Sequence, residues 1–324
     1  MNTGAAGLIV AFAIAAAGGF AAVKLGPVLG WVDEPDDPDL KAHRLPAVPL
    51  GGVAVFLAVH VGMLVTSRLD PYLLAGTALV LVLGLVDDRR GVTPLIRLGV
   101  EAVAGLILGL SAMGESWVRL LLIGILVVVA VNSVNLLDGL DGLAGLSGLV
   151  SALGLAGLAL ARGSGPVFGL ILAGALAAFL LWNWHPARLF LGDNGAYVLA
   201  LFLVYGMVQA SESLGEVLVA VALFGVFFFD MAATLLRRAL SHQPLFSRDR
   251  LHLYDRLVDR GMVVPIVALT AGTVQATYAA LAIAADRALS TPGAVLFLLG
   301  IGAVIVVGLV KILGATRPGQ WRPQ

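Results

Sequence analysis

The sequence predicts an all-α polytopic membrane protein, and three observations support this fold class. Hydrophobic residues make up 60% of the chain and charged residues only 12%, and the mean hydropathy is +1.00. Apolar runs long enough to cross a bilayer recur along the whole chain. The 40 glycines would weaken helices in water but let membrane helices pack closely. The chain contains no cysteine, which excludes disulfides, thiolate catalysis and cysteine-ligated metals.

Each stretch of about 17 to 25 mostly apolar residues is predicted to be a membrane-spanning helix. This criterion predicts about eleven helices, at 8–23, 49–67, 72–86, 97–113, 117–134, 142–161, 166–183, 195–210, 215–235, 263–284 and 292–312. No Lys or Arg precedes Lys24, so the first is predicted to be a retained helix and not a cleaved signal. With no long-period repeat and no separate soluble region, residues 1–324 are predicted to form a single transmembrane domain.

The distribution of basic residues predicts the orientation of these helices. Of the 20 Lys and Arg residues, only Arg68, Arg119, Arg162 and Arg287 fall in loops on one side. Because cytoplasmic loops carry the excess of Lys and Arg, the other side should be cytoplasmic. This places the N-terminus outside and the C-terminus in the cytoplasm. The predicted cytoplasmic loops are about 24–48, 87–96, 132–141, 184–194 and 236–262.

Acidic residues cluster at the predicted cytoplasmic ends of different helices. They are Asp87, Asp88, Asp138, Asp141 and Asp193. Ionisable groups in membrane helices are costly unless they bind something. Carboxylates that converge near many Arg residues suit a divalent cation with a phosphorylated ligand, because Mg²⁺ is held by a few carboxylates plus phosphate oxygens. The alternative is a set of ordinary solvated helix ends, with Arg89 and Arg90 as partners of the first two acids.

The segment Asn132 to Gly142, N-S-V-N-L-L-D-G-L-D-G, follows an unbroken apolar run. If the next helix begins early, Asp138 and Asp141 lie on roughly one face of it. The glycines that recur every three residues from Gly139 are predicted to let this helix pack tightly against a neighbour. A polar hairpin wetted by water is the alternative interpretation of the segment.

A second polar segment, Trp182 to Tyr197, reads W-N-W-H-P-A-R-L-F-L-G-D-N-G-A-Y. Pro186 is predicted to end a helix. Glycines on both sides of Asp193 would let backbone approach a ligand, which makes this acid a candidate metal ligand. A simple helix cap is the alternative. His185, next to the proline, is predicted to be a loop residue.

The loop 240–261 is predicted to contain a short amphipathic helix at the membrane surface, capped by Ser247 and ended by Gly261. Its basic residues would attract anionic lipid. The alternative is that Arg250 and His252 hold a phosphate.

Two further acids, Glu101 and Asp230, are predicted to have structural roles. Glu101 is expected to pair with Arg97 at the i,i+4 spacing. Asp230, near the end of an apolar helix, is expected to cap it or to pair with Arg237 or Arg238.

Five separated segments, in order and on one predicted side, resemble the polyprenyl-phosphate N-acetylhexosaminyl-1-phosphate transferases, enzymes of the glycosyltransferase family 4 type. They are D-E-P-D-D-P-D-L-K-A-H-R-L-P-A-V-P-L-G-G (33–52), D-D (87–88), N-S-V-N-L-L-D-G-L-D-G-L-A (132–144), N-W-H-P-A-R-L-F-L-G-D-N-G (183–195) and D-R-L-H-L (249–253). The chain is more similar to the undecaprenyl-phosphate GlcNAc-1-phosphate branch than to the phospho-MurNAc-pentapeptide branch, because Tyr254 and Asp255 stand where further histidines are usual.

The resemblance implies transfer of a sugar 1-phosphate, such as GlcNAc 1-phosphate, from a UDP-sugar to undecaprenyl or another polyprenyl phosphate. UMP would be released at the cytoplasmic face, and lipid-linked glycan synthesis would begin. Mg²⁺ is the implied cofactor, with Mn²⁺ as a substitute, and the implied location is the bacterial cytoplasmic (inner) membrane. No nucleic-acid partner is implied, and a homodimer is compatible with the sequence.

The resemblance also implies residue roles. Asp87 and Asp88 are implied to be catalytic, with Asp87 as the acid that deprotonates the lipid phosphate or is replaced by it. Asp193 and Asp87 are implied to hold the metal. Substrate binding is implied for Lys41, Asn135, Asp138, Asp141, Asn183, Phe190, Arg250 and His252. Direct displacement and a covalent aspartyl intermediate both remain open.

The alternative from another class is a secondary transporter or a flippase for a lipid-linked substrate. Transporters usually place charged groups near the bilayer midplane, at broken helices related by an internal repeat. Here the acids lie at helix ends and the sequence contains no repeat, which favours the enzyme.

Overall fold

The computed structural model of the chain describes residues 3–34, 45–111, 116–244 and 251–314. Its α-helices are α1 (Thr3–Leu25), α2 (Gly51–Val65), α3 (Pro71–Arg90), α4 (Pro94–Leu110), α5 (Trp117–Leu137), α6 (Leu143–Ala161), α7 (Val167–Asn183), α8 (Gly192–Gln209), α9 (Leu214–Ala220), α10 (Gly225–Leu240), α11 (Leu253–Asp259), α12 (Val264–Ala288) and α13 (Thr291–Gly314). Within these ranges the only β-type pairings are the isolated bridges Asp33 to Ala47 and Val48 to Leu189. Lys41, Ser247 and Arg250 lie outside the described residues.

The protein is an all-α polytopic membrane protein. Seven helical stretches of the described chain are long and apolar enough to cross a membrane, and α2 and α7 are shorter apolar helices. Each predicted span overlaps a helix in the described part of the chain, whereas the predicted count of about eleven membrane-spanning helices stays a prediction. The span predicted at 215–235 is not one continuous α-helix. It is divided into α9, a 3₁₀ turn (Val221–Phe224) and α10.

The division between α9 and α10 is supported by one side chain from α12. The Gln275 amide nitrogen donates to the Leu223 carbonyl at 2.8 Å, and its amide oxygen accepts from the Val226 N–H at 2.9 Å. Backbone groups freed by a helix break inside a membrane need such partners, because no water is there to replace them. Gln275 is fully buried. Its amide therefore stabilises the break from inside the helix bundle.

Helix α8 lies at the centre of the bundle. Its residues from Asn194 to Val208 are all buried, and it packs against α2, α3 and α5. Helix α1 packs on α2 and α7, α4 packs between α3 and α5, and α6 joins α7 to α12. The first turn of α8, which carries Asp193, is therefore held by several elements at once.

Glycines on α2 and α3 allow this close packing around the start of α8. A Cβ atom at Gly84 would lie 2.2 Å from Asn194 Cα and 2.4 Å from its nitrogen. A Cβ atom at Gly52 would lie 2.3 Å from Gly195 Cα. Since these neighbours are backbone atoms, no side-chain rotation can make room, and the helices can approach only where glycine is present.

We expect Gly84→Ala to destabilise the protein by about 3 kcal/mol, because α3 would have to move away from α8. The measurement is the melting temperature of the detergent-solubilised protein. Gly99→Ala is the matched control. Gly99 also lies inside a helix, but a Cβ atom there would have no atom of the described residues within 4 Å. Equal melting temperatures for the two variants would contradict the packing role of Gly84.

The helix predicted at the membrane surface differs from the one in the structure. The predicted short helix is present as α11, which runs from Leu253 to Asp259, just before Gly261, with His252 as its N-cap residue. The predicted Ser247 cap lies outside the described residues. His252, Tyr254, Asp255 and Arg256 are buried, so polar side chains face the protein and not water. The predicted solvent-exposed polar face was therefore wrong, because a local hydrophobicity pattern does not show which polar partners other helices will supply. The location at the membrane surface stays a prediction.

Candidate active site

A cavity of about 740 Å³ lies where α3, α5 and α8 meet the turns that precede α6 and α8. The predicted site residues that line it are Asp88, Asn135, Asp138, Asp141, Asn183, Phe190 and Asp193. Asp87 and His252 are described but do not line it. The structure thus brings together acids that are separated by about a hundred residues in the sequence.

Asp193 is the second residue of α8 and is fixed by Asn135. The Asn135 side-chain nitrogen donates to Asp193 Oδ1 at 2.5 Å, which joins α5 to α8. A carboxylate in the first turn of a helix is also stabilised by the helix dipole. Asn135 was predicted to bind substrate, but in the structure it also orients the candidate metal ligand.

Asp88 acts as an N-terminal cap for α8, although it belongs to α3. Its Oδ1 accepts from the Asp193 N–H at 2.9 Å. Its Oδ2 accepts from the Asn194 N–H at 3.1 Å and from the Asn194 side-chain nitrogen at 2.6 Å. The α8 N-terminus has no cap from its own preceding residue, Leu191. Asp88 supplies it from a distant part of the chain.

Asp87 lies behind the cavity and is only 8% exposed. Its Oδ1 accepts from the Val92 N–H at 2.7 Å, and its Oδ2 accepts from the Tyr197 hydroxyl at 2.6 Å. Both oxygens are thus engaged within the protein in this structure. The catalytic and metal-binding roles implied for Asp87 stay predictions, and they require these hydrogen bonds to be exchanged for contacts with a ligand.

Asp138 ends α5 and lies in the turn before α6. Its N–H donates to the Val134 carbonyl at 3.0 Å, and its side chain lines the cavity. Burial raises the pKa of Asp138 to about 8, and the negative charges of Asp193, Asp88 and Asp141 contribute to the increase. A cation bound among these carboxylates would favour the ionised form and lower this pKa.

Asp138 and Asp141 do not share a helix face, because α6 begins only at Leu143. Their partners also differ. Asp141 Oδ2 lies 2.8 Å from His185 Nδ1 and accepts from the Ala187 N–H at 3.0 Å. The condition for a shared face, an early start of the helix, is not met, since the turn and not the helix carries both acids.

Asn183 joins the same turn to the end of α7. Its side-chain oxygen accepts from the Gly142 N–H at 3.0 Å, and its side-chain nitrogen donates to the Leu189 carbonyl at 2.9 Å. Asn183 is 3% exposed. It therefore shapes the cavity wall in addition to any contact with substrate.

The predicted pairing of Glu101 with Arg97 is confirmed. Arg97 Nε lies 3.5 Å from Glu101 Oε1, and Asn132 completes the cluster by donating to Glu101 Oε2 at 2.8 Å and accepting from Arg97 at 3.1 Å. Glu101 is fully buried. Arg97 also interacts with Tyr197 and attracts the charge of Asp193, so this cluster supports the site from behind.

The predicted partner of Asp230 was wrong. Asp230 Oδ2 lies 2.8 Å from His252 Nδ1, and both residues are almost fully buried. Next to them, the Tyr254 hydroxyl donates to the Leu136 carbonyl at 3.0 Å. His252 therefore attaches the start of α11 to α10, and it makes no cavity surface in this arrangement.

The donor set of the cavity fits Mg²⁺. Among the described residues no three His, Asp or Glu side chains are arranged to hold a metal by themselves. Mg²⁺ usually takes one or two carboxylates and completes its shell with water and substrate phosphates. Asp193 and Asp138 supply such carboxylates in one cavity.

Sequence reasoning missed several residues of the site. Asp33 and Pro49 line the cavity, and so do Val258 and 262–264. The bridge from Val48 to Leu189, which brings the first of these segments close, carries no local sequence signal. Tyr197 was detectable, since it is four residues after Asp193 and hence on the same helix face.

Comparison with known proteins adds a family relationship. Residues 71–211 match the model of glycosyl transferase family 4. The chain is 28% identical to a decaprenyl-phosphate N-acetylglucosaminephosphotransferase of Mycobacterium tuberculosis (strain CDC 1551 / Oshkosh), over 90% of this chain and 84% of the relative. It is 30% identical to an undecaprenyl-phosphate alpha-N-acetylglucosaminyl 1-phosphate transferase of Thermotoga maritima, over 69% of this chain and 72% of the relative. It is 31% identical to a phospho-N-acetylmuramoyl-pentapeptide-transferase of Moorella thermoacetica, over 64% of this chain and 75% of the relative.

Proposed function

The chain belongs to glycosyl transferase family 4, and we propose from this premise that it transfers GlcNAc 1-phosphate to a polyprenyl phosphate. The donor is a UDP-sugar, UMP is the second product, and the lipid-linked sugar begins glycan synthesis. Relatives whose names state this reaction support the assignment. The branch expected from the sequence is consistent with them.

The observation that carries the proposal is the convergence of Asp88, Asp138 and Asp193 on one cavity at the ends of helices. The reaction joins two anionic phosphates, which repel each other unless their charge is offset. A carboxylate cluster that holds a divalent cation provides this charge. A transporter would place such groups near the bilayer midplane, whereas these acids lie at helix ends and in turns.

The acids of the cavity and Asn135 have distinct proposed roles. Asp193 and Asp138 would hold Mg²⁺, and Asn135 keeps Asp193 in position through its 2.5 Å hydrogen bond. Bound there, Mg²⁺ would offset charge on the donor phosphates. Asp88 fixes the first turn of α8. Asp87 is proposed to accept the proton of the lipid phosphate once substrate displaces a hydrogen bond from its carboxylate.

The orientation and location follow from charge and from the acceptor. We propose that the site faces the cytoplasm, with the N-terminus outside, because basic loops flank the cavity side of the helices. The bacterial cytoplasmic membrane is the proposed location. A long isoprenoid acceptor requires a site at the membrane interface, and the apolar side chains of Val258 and Val264 line one part of the cavity.

The first experiment is an assay of UMP release by the purified protein with undecaprenyl phosphate, Mg²⁺ and a panel of UDP-sugars. We expect release with UDP-GlcNAc that requires both lipid and metal, and we expect EDTA to abolish it. Mn²⁺ should restore part of the activity, since it prefers similar oxygen ligands.

The controls separate the proposal from its alternatives. Release without lipid would indicate hydrolysis of the donor and not transfer. Full activity in EDTA would contradict the metal assignment. Flux of substrate into vesicles without UMP formation would replace the transferase with a transporter.

A further inference from the structure

His185 makes a contact that the proposed reaction does not yet use. It lies in the turn between α7 and α8, and its side chain is 44% exposed. Its Nδ1 is 2.8 Å from Asp141 Oδ2. Because a carboxylate only accepts hydrogen bonds, Nδ1 must carry the proton. Both residues line the cavity.

Asp141 is held on one side only. Its Oδ2 accepts two hydrogen bonds from the turn, one from His185 and one from the Ala187 N–H at 3.0 Å. Among the residues that the structure describes, Asp141 Oδ1 makes no hydrogen bond. The Asp141 side chain is 12% exposed and lines the cavity, so Oδ1 is the oxygen available to a ligand.

We propose that His185 is a positioning residue for substrate, which holds Asp141 so that its Oδ1 accepts a hydrogen bond from the nucleotide-sugar donor. This inference rests on the proposed function. The group that Oδ1 contacts is an uncharged N–H or O–H of the base or the sugar, since a phosphate oxygen would be repelled by the carboxylate.

The donor fits this position better than the lipid acceptor does. An isoprenoid tail has no N–H or O–H to donate to Asp141 Oδ1, and the acceptor's phosphate would be repelled by this carboxylate. An apolar part of the cavity wall is formed by a different segment, residues 262–264, before and at the start of α12. A hydrogen bond to a fixed carboxylate gives affinity and orientation, so His185 is expected to affect donor binding and not the chemical step.

The test compares three substitutions of His185. An Asn side chain places its amide nitrogen where Nδ1 lies, whereas a Gln side chain reaches the position of Nε2. We expect His185→Ala and His185→Gln to raise KM for UDP-GlcNAc about tenfold, with kcat within about twofold of wild type, because loss of an ordered hydrogen bond to a charged group has roughly this effect. His185→Asn should restore most of the affinity. KM for undecaprenyl phosphate should stay unchanged.

The matched control is His242→Ala, since His242 is also exposed but lies in the turn after α10. Calorimetric titration with UMP and with UDP-GlcNAc measures binding without turnover. Equal loss of affinity for both ligands would place the contacted group on the nucleotide. Loss for UDP-GlcNAc alone would place it on the sugar.

Three results would overturn the inference. The first is a donor KM for His185→Ala within twofold of wild type, and the second is a fall in kcat at unchanged KM. The third is an Asn variant that behaves like the Ala variant. Absence of transfer by the wild-type protein would refute the proposed function, while UMP titration of the variants would still test His185. A wild-type protein that binds neither ligand would refute both.

Discussion

Asp193→Asn should abolish transferase activity while leaving the fold intact. Removing the carboxylate that we propose as a ligand of the catalytic cation would forfeit several kcal/mol of charge stabilisation, so UMP release should fall at least about a thousandfold. The substituted amide can still accept the hydrogen bond from Asn135, which now reaches Asp193 Oδ1 at 2.5 Å. The melting temperature in detergent should therefore stay close to that of the wild type.

Asn135→Ala provides the graded comparison. It leaves the carboxylate in place but removes the donor that orients it, and loss of a group that orients a metal ligand typically costs about 10-fold to 100-fold in activity. Both variants are assayed for UMP release across a range of Mg²⁺ concentrations. A shifted Mg²⁺ requirement is expected for Asn135→Ala, and a fully active Asp193→Asn variant would eliminate the metal assignment.

The helices were predictable from the sequence because the bilayer imposes a length and a composition on each of them. The α9–α10 break was not. It depends on Gln275, whose amide satisfies Leu223 and Val226 from a helix about fifty residues away. A hydropathy pattern averages over such a break, and a single polar residue on α12 does not reveal which backbone groups it will meet.

The acids of the site were predictable as a group, but their individual partners were not. Asp88 and Asp193 both line the cavity, as the sequence led us to expect. The hydrogen bonds from α8 to Asp88 join residues over a hundred positions apart. The pairing of His252 with Asp230 is likewise a tertiary contact. Both contacts depend on how helices pack, and local spacing carries no information about that.

The position of Asp87 gives the two adjacent acids different environments. Asp87 faces Tyr197 and Val92, whereas Asp88 faces the start of α8. Successive residues of a helix point about 100° apart, so two neighbouring carboxylates meet different surroundings. The two acids look equivalent in the sequence, and the helix geometry gives them different hydrogen-bond partners.

Asp88→Ala should lower both stability and activity, unlike Asp193→Asn. The substitution removes the carboxylate that accepts from the Asp193 and Asn194 N–H groups at the start of α8. Loss of a helix cap with charge-assisted hydrogen bonds should destabilise the protein by about 2 kcal/mol. Because the first turn of α8 carries Asp193, a displacement of about 1 Å there should reduce activity roughly 100-fold.

Asp88→Asn separates the two contributions of this side chain. Its amide oxygen can still accept a hydrogen bond from α8, so most of the melting temperature should be retained, while the negative charge next to the proposed cation is lost. If Asp88 is only a cap, Asp88→Asn should keep most of its activity. If activity falls as far as in Asp193→Asn at normal stability, Asp88 contributes its charge to the reaction, and the implied catalytic role is supported over the structural one.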